Sequence, residues 1–86
     1  MCTLGPVLDL SVGGLRLLSV RPHQGLVRVE IWGHDTDVTV EAKVVWARRL
    51  GFRRHELGLT FVDVDEDVQK IIMRIAATHT RDRAIA

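Results

Sequence analysis

Leu26-Val27-Arg28-Val29-Glu30-Ile31-Trp32-Gly33-His34-Asp35-Thr36-Asp37-Val38-Thr39-Val40-Glu41-Ala42-Lys43-Val44-Val45-Trp46 is the stretch that decides the fold. Val27, Val29 and Ile31 alternate with Arg28 and Glu30, and a period of two puts one apolar face inward on a half-buried strand. Val38, Val40, Ala42, Val44 and Trp46 alternate in turn with Asp37, Thr39, Glu41 and Lys43, the longest run of this kind in the chain. Gly33 to Thr36 supplies turn residues between the two runs, which together predict a β-hairpin.

Downstream, Leu57, Leu59 and Phe61 repeat the alternation in a third strand, joined to the second by an arginine-rich loop, Arg48 to His55, that contains Gly51. Upstream, two weaker strands are expected at Leu4 to Leu10 and Leu15 to Val20, with Ser11 to Gly14 as the turn. Pro6 cannot donate a ladder hydrogen bond, so it places the first of these at a sheet edge or a strand start. After Phe61 the period changes: Val68, Ile71, Ile72, Ile75 and Ala76 mark one face of an amphipathic helix. Asp65 is the expected N-cap, with Asp63, Glu66 and Asp67 at the positive end of the helix dipole and Arg74, His79 and Arg81 toward the other. The helix is expected over about 66–78, and the tail 81–86 is expected to fray. Five strands leave an apolar face bare unless the sheet curls and the helix covers the opening. The expected fold class is therefore all-β: one domain over 1–86, a small antiparallel barrel of five or six strands over about 3–62, closed by a single C-terminal helix.

Composition narrows the function. The net charge of +1 argues against a binder of nucleic-acid polymers that works by bulk electrostatics, so any anion site must be local. Cys2, the single cysteine, allows no intramolecular disulfide and no thiolate cluster for zinc. The first ten residues lack a basic, then apolar, leader pattern, and no window approaches the roughly 18 apolar residues of a membrane span. The sequence thus reads as cytoplasmic and without membrane insertion. His23, His34, His55 and His79 are scattered without metal-ligand spacing and read as surface residues. Ser11 lies on no nucleophile elbow, and no catalytic constellation is found. The acidic run Asp63 to Asp67 lacks the glycine and final glutamate of a calcium loop, and helix capping accounts for it. Trp32 and Trp46 end their strands, where rim or core packing is the first reading and base stacking the second.

Asp9-Leu10-Ser11-Val12-Gly13-Gly14-Leu15 matches an Asp/Asn-x-Ser-x-x-Gly pattern at a strand-to-strand turn. It is followed by Ala42-Lys43-Val44-Val45-Trp46, a strand ending in tryptophan, and by Gly58-Leu59-Thr60-Phe61 leading into the acidic helix start. In this order, over Val7 to about Ile75, the chain resembles the PilZ domains, bacterial receptors for cyclic di-GMP. The resemblance implies a non-enzymatic signalling domain whose ligand contacts are Asp9, Ser11 and Gly14, with Gly13 beside them. The residue types suit that role: a carboxylate accepts from guanine N–H groups, a hydroxyl donates to a phosphate oxygen or base, and glycine admits a close ligand. The competing reading is a tight turn held by side-chain bonds from Asp9 and Ser11 to the backbone.

The resemblance also implies an Arg-x-x-x-Arg arm ahead of the first strand, and no Arg or Lys precedes Asp9. Two missing charge-assisted contacts weaken binding by about 3 to 6 kcal/mol, roughly a hundredfold to ten-thousandfold. Binding of cyclic di-GMP by this chain is accordingly expected to be weak or absent. Arg49-Leu50-Gly51-Phe52-Arg53 has the arm's spacing but lies in a later loop, whose alternatives are a solvated tip and a phosphate or partner patch. Arg16 and Arg21 lie nearer the turn, and Arg16, pointing away from Leu15 and Leu17, is the expected substitute phosphate contact. The alternative function is a nucleotide-independent protein–protein interaction module of the same fold. A barrel starting so near the motif strand is expected to bury its free edge or an uncovered apolar face in a homodimer, the other outcome being a monomer whose N-terminal residues fold back over the opening.

Overall fold

The computed structural model describes residues 2–33 and 35–85, with backbone alone over 78–85. Its elements run β1 (Val7–Leu10), β2 (Gly14–Ser19), β3 (Leu26–Gly33), β4 (Thr36–Gly51), β5 (Arg54–Val62) and α1 (Glu66–Ile85). The five strands form one antiparallel sheet in the order β1-β2-β5-β4-β3. The period-two pattern sets its inner face: Leu15 and Leu17, Val29 and Ile31, Val40 and Ala42, and Leu57 and Leu59 are all buried there. The sheet curls into a half-barrel with β1 and β3 at its edges. Cys2 bridges to Ile31, the Thr3 amide donates to the Glu30 carbonyl at 3.0 Å, and the Leu18 amide donates to the Pro6 carbonyl at 3.0 Å. Residues 2–6 thus form a strap from β3 across to β2, the fold-back of the N-terminal residues that stood beside the homodimer as the other outcome.

Helix α1 lies over the mouth between the edges, packing on β1, β3 and β4. Ile72 and Ile75 are buried, and Val68, Ile71 and Ala76 pack beside them, the face that the 3.6-residue period predicts. Asp65 caps the helix, its Oδ1 accepting from the Val68 amide at 2.9 Å. The helix continues about two turns past the expected end near Thr78, through Ile85. Apolar periodicity ends at Ala76, but no Gly or Pro follows to stop the helix. The expected surface positions of His34 and His79 and the sign of Arg81 at the helix end fall outside the described side chains.

Two β-bulges in β4 correct the sequence reading. The register passes from Val44 opposite Leu59 directly to Trp46 opposite Gly58, so Val45 is an extra residue. Side chains alternate faces along a strand, and one added residue inverts that parity. Trp46, read as continuing the inward face of Val44, therefore stands on the outer face. The second shift lies between Arg49 and Gly51. Arg48 to His55 is accordingly no loop: β4 runs through Gly51, β5 starts at Arg54, and the turn is Phe52-Arg53, with Arg53 at φ 54°. The segment lacks alternation because it extends past the part of the sheet that has a core to cover. The first strand is shorter than expected, starting at Val7 because Gly5 and Pro6 belong to the strap.

Candidate functional site

The β1–β2 turn is built from its own backbone. The Ser11 amide donates to the Gly14 carbonyl at 2.9 Å, the Ser11 hydroxyl donates to the same oxygen at 3.4 Å, and the Phe61 amide donates to the Gly13 carbonyl at 3.0 Å, pinning the turn to β5. Asp9 on β1 stands directly across from Arg16 on β2. Asp9, Ser11, Gly13, Gly14 and Arg16, the five residues singled out by sequence, line one groove of about 300 Å³ on the outer face, together with Trp46, Gly58 and Thr60.

Two glycines give the groove its floor. A Cβ on Gly14 would stand 2.1 Å from the Leu59 carbonyl oxygen, so the motif's last glycine lets β2 and β5 approach. A Cβ on Gly58 would stand 2.1 Å from Nε1 of Trp46, so the indole rests on bare β5 backbone. Trp46 is 43% exposed, and it borders the groove as an aromatic wall. Such a surface stacks bases, whereas the open backbone beside it offers no side chain in the way.

The groove's cation is anchored from below. Nη1 of Arg16 donates to Oε2 of Glu56 at 3.0 Å, and Nη2 of Arg48 donates to the other carboxylate oxygen. Glu56 itself is buried, while the two arginine side chains stay 41% and 66% exposed. The hydrogen bond from Arg48 does most to hold the Glu56 carboxyl below its ordinary value; burial acts the other way, and the Arg16 bond and both positive charges add to the lowering. Arg16 keeps further N–H donors for an anion while one bond fixes its direction. Arg49 and Arg53, with the spacing of an arginine arm, lie at the hairpin tip and do not line the groove, and neither does Arg21.

Sequence reasoning named the turn and Arg16 but missed Glu56, and it put Trp46 on the wrong face. The adjacent apolar pair Val44-Val45, which breaks the alternation, was the available signal for the bulge. Glu56 carries no such signal, because an outward carboxylate on a strand looks like any solvated residue. Among the described residues, no cluster of His, Cys, Asp and Glu is arranged to hold a metal ion.

No curated protein and no solved structure matches the chain. A family model described as PilZ domain matches residues 3–77, which take in the strap from Thr3, the whole sheet and the packed turns of α1. With the motif turn, the order of strands and the helical lid all inside that match, the chain belongs to the PilZ domain family.

Proposed function

We propose that the outer-face groove is a cyclic di-GMP site and that this chain binds the dinucleotide weakly. The family is one of cyclic di-GMP receptors, binding and signalling domains rather than catalysts. The observation that carries the reading is the convergence of Asp9, Ser11, Gly14, Arg16 and Trp46 on one groove. In the proposed complex a guanine stacks on Trp46 and its N–H groups donate to Asp9, while Arg16 and the Ser11 hydroxyl face a phosphate. The weakness follows from a groove lined by one arginine, Arg16, among the described residues, and the groove is at the small end of the roughly 300–1,000 Å³ of ligand pockets. A cytoplasmic location belongs to the same proposal.

The second reading, an interaction module that needs no nucleotide, is favoured by a specific observation: the turn's own hydrogen bonds and the close β2–β5 approach already occupy Ser11 and Gly14. Titration calorimetry with cyclic di-GMP separates the two. Binding in the micromolar range or weaker, abolished by Asp9→Ala and by Trp46→Ala, supports the groove. No heat at millimolar dinucleotide selects the interaction module, and binding that survives Asp9→Ala places the ligand elsewhere.

A further inference from the structure

The β4–β5 hairpin extends past the buried part of the sheet, and from 48 to 54 every residue but Gly51 is exposed. At its apex Phe52 is 82% exposed and Leu50 44%. Arg48, Arg49, Arg53 and Arg54 flank them on both strands. Arg48 shares Glu56 with Arg16, and Arg49 spends Nε on the Gly51 carbonyl, which leaves its charge uncompensated. Arg53 and Arg54 have no ion-pair partner among the described residues.

The charge is placed, not general. A chain of net charge +1 carries four arginines within seven residues here, while Asp63, Asp65, Glu66 and Asp67 follow the far end of β5. Nine residue steps along β5, from Arg54 to Asp63, separate the two groups by roughly 30 Å. The domain is therefore an electric dipole with an apolar apex at its positive pole. A second feature continues that surface: Leu4, Pro6, Leu18 and Val20 form an apolar recess of about 190 Å³ whose rim is Arg53 and Arg54. Val20 is 55% exposed beside it.

We propose that this hairpin tip docks the domain on an anionic lipid surface. Phe52 and Leu50 enter the interfacial layer, and the arginine side chains lay their methylene stems along it while their guanidiniums pair with lipid phosphates. A convex apex of two apolar side chains needs no complementary pocket in a lipid interface, whereas a protein partner has to supply one. A net charge of +1 gives little bulk attraction for a nucleic-acid polymer, and the exposed Phe52 and Leu50 at the apex match a lipid interface, so a nucleic acid is the poorer fit. The docking is peripheral, and no helix among the described residues is long and apolar enough to cross a membrane. The proposal is independent of the groove, because none of the tip residues from 49 to 54 lines it.

Sedimentation with lipid vesicles tests it. The chain is expected to pellet with vesicles of phosphatidylcholine and phosphatidylglycerol at about 7 to 3 and not with phosphatidylcholine alone, and to be released by salt. Arg53→Glu with Arg54→Glu, and separately Phe52→Ser, are each expected to weaken binding tenfold or more, on the order of fivefold per arginine lost. Both sites are exposed, and an unchanged circular dichroism melt confirms the fold of each variant. Phe52→Trp, in a background carrying Trp32→Phe and Trp46→Phe, adds a direct readout, an emission that shifts to the blue on anionic vesicles. Absence of binding at low salt, binding equal in the variants, or a tip tryptophan that stays in water while the protein pellets would each overturn the proposal. Retention on heparin without vesicle binding would overturn it too, in favour of a soluble polyanion.

Discussion

Trp46 lies over Gly58, so closely that a Cβ at residue 58 would stand 2.1 Å from the indole nitrogen. The bulge at Val45 turns the tryptophan outward, and the absence of a side chain on β5 lets it lie down. Neither residue makes the groove alone.

Gly58→Ala is expected to lift the indole from the sheet without unfolding the domain, since a half-exposed side chain can swing outward. The melting temperature should fall by no more than about 8 °C, a change within about 1 kcal/mol. Tryptophan emission, read in a Trp32→Phe background, should shift to the red, and any dinucleotide binding should be lost. An unchanged spectrum would mean that the indole does not rest on Gly58.

Glu56 gives stability a dependence on pH. Its carboxyl is held below the ordinary value of 4.5 in the folded chain, so the unfolded chain takes up the proton first as acid is added. The contribution is fully present above about pH 4.5 and is lost as pH falls through the lowered folded value. Thermal melts of the native chain and of Glu56→Gln should differ near neutral pH, and the gap should close in acid. A constant gap at every pH would show that the two arginines do not stabilise the charged carboxylate.

Ile72 has no exposed surface beneath the helical lid. Ile72→Ala is expected to cost about 2 to 5 kcal/mol in urea unfolding, a large share of the stability of so small a domain. Met73, the next residue, is 57% exposed, and Met73→Ala is expected to stay within about 0.5 kcal/mol. Equal effects from the two would put the helix in a different orientation.

Light scattering is expected to return a monomer of 9.7 kDa. The homodimer anticipated from the sequence rested on a free sheet edge or an uncovered apolar face, and residues 2–6 pair with part of that edge. A species of twice the mass at micromolar concentration would show that exposed apolar residues, rather than backbone edges, drive self-association.

The strands with one buried face were legible because period-two patterning is the direct imprint of that face, and Asp65 and the isoleucines set the helix in the same way. What escaped was whatever depended on register. A bulge adds one residue without altering composition, so Val45 inverted the assignment of Trp46 while leaving the hairpin itself intact. Beyond Ala47 no core demands alternation, and the long arm of β4 and β5 looked like a loop. The strap was hidden for another reason: Cys2 and Thr3 pair with Glu30 and Ile31, far away in sequence, through backbone groups that every residue carries. The motif turn was legible as a local pattern, but its link to Glu56, forty positions from Arg16, was not.

Cys2 is the chain's only thiol, and it is sealed in at 4% exposure where the strap meets Ile31. Its alkylation rate is therefore a clock that ticks only while the strap is open. If the strap detaches by itself, the thiol should react far faster than global unfolding allows; if it moves with the core, labelling and unfolding should share one free energy and one denaturant slope. Without any introduced label, the protein thus carries a stopwatch on the closure of its own half-barrel.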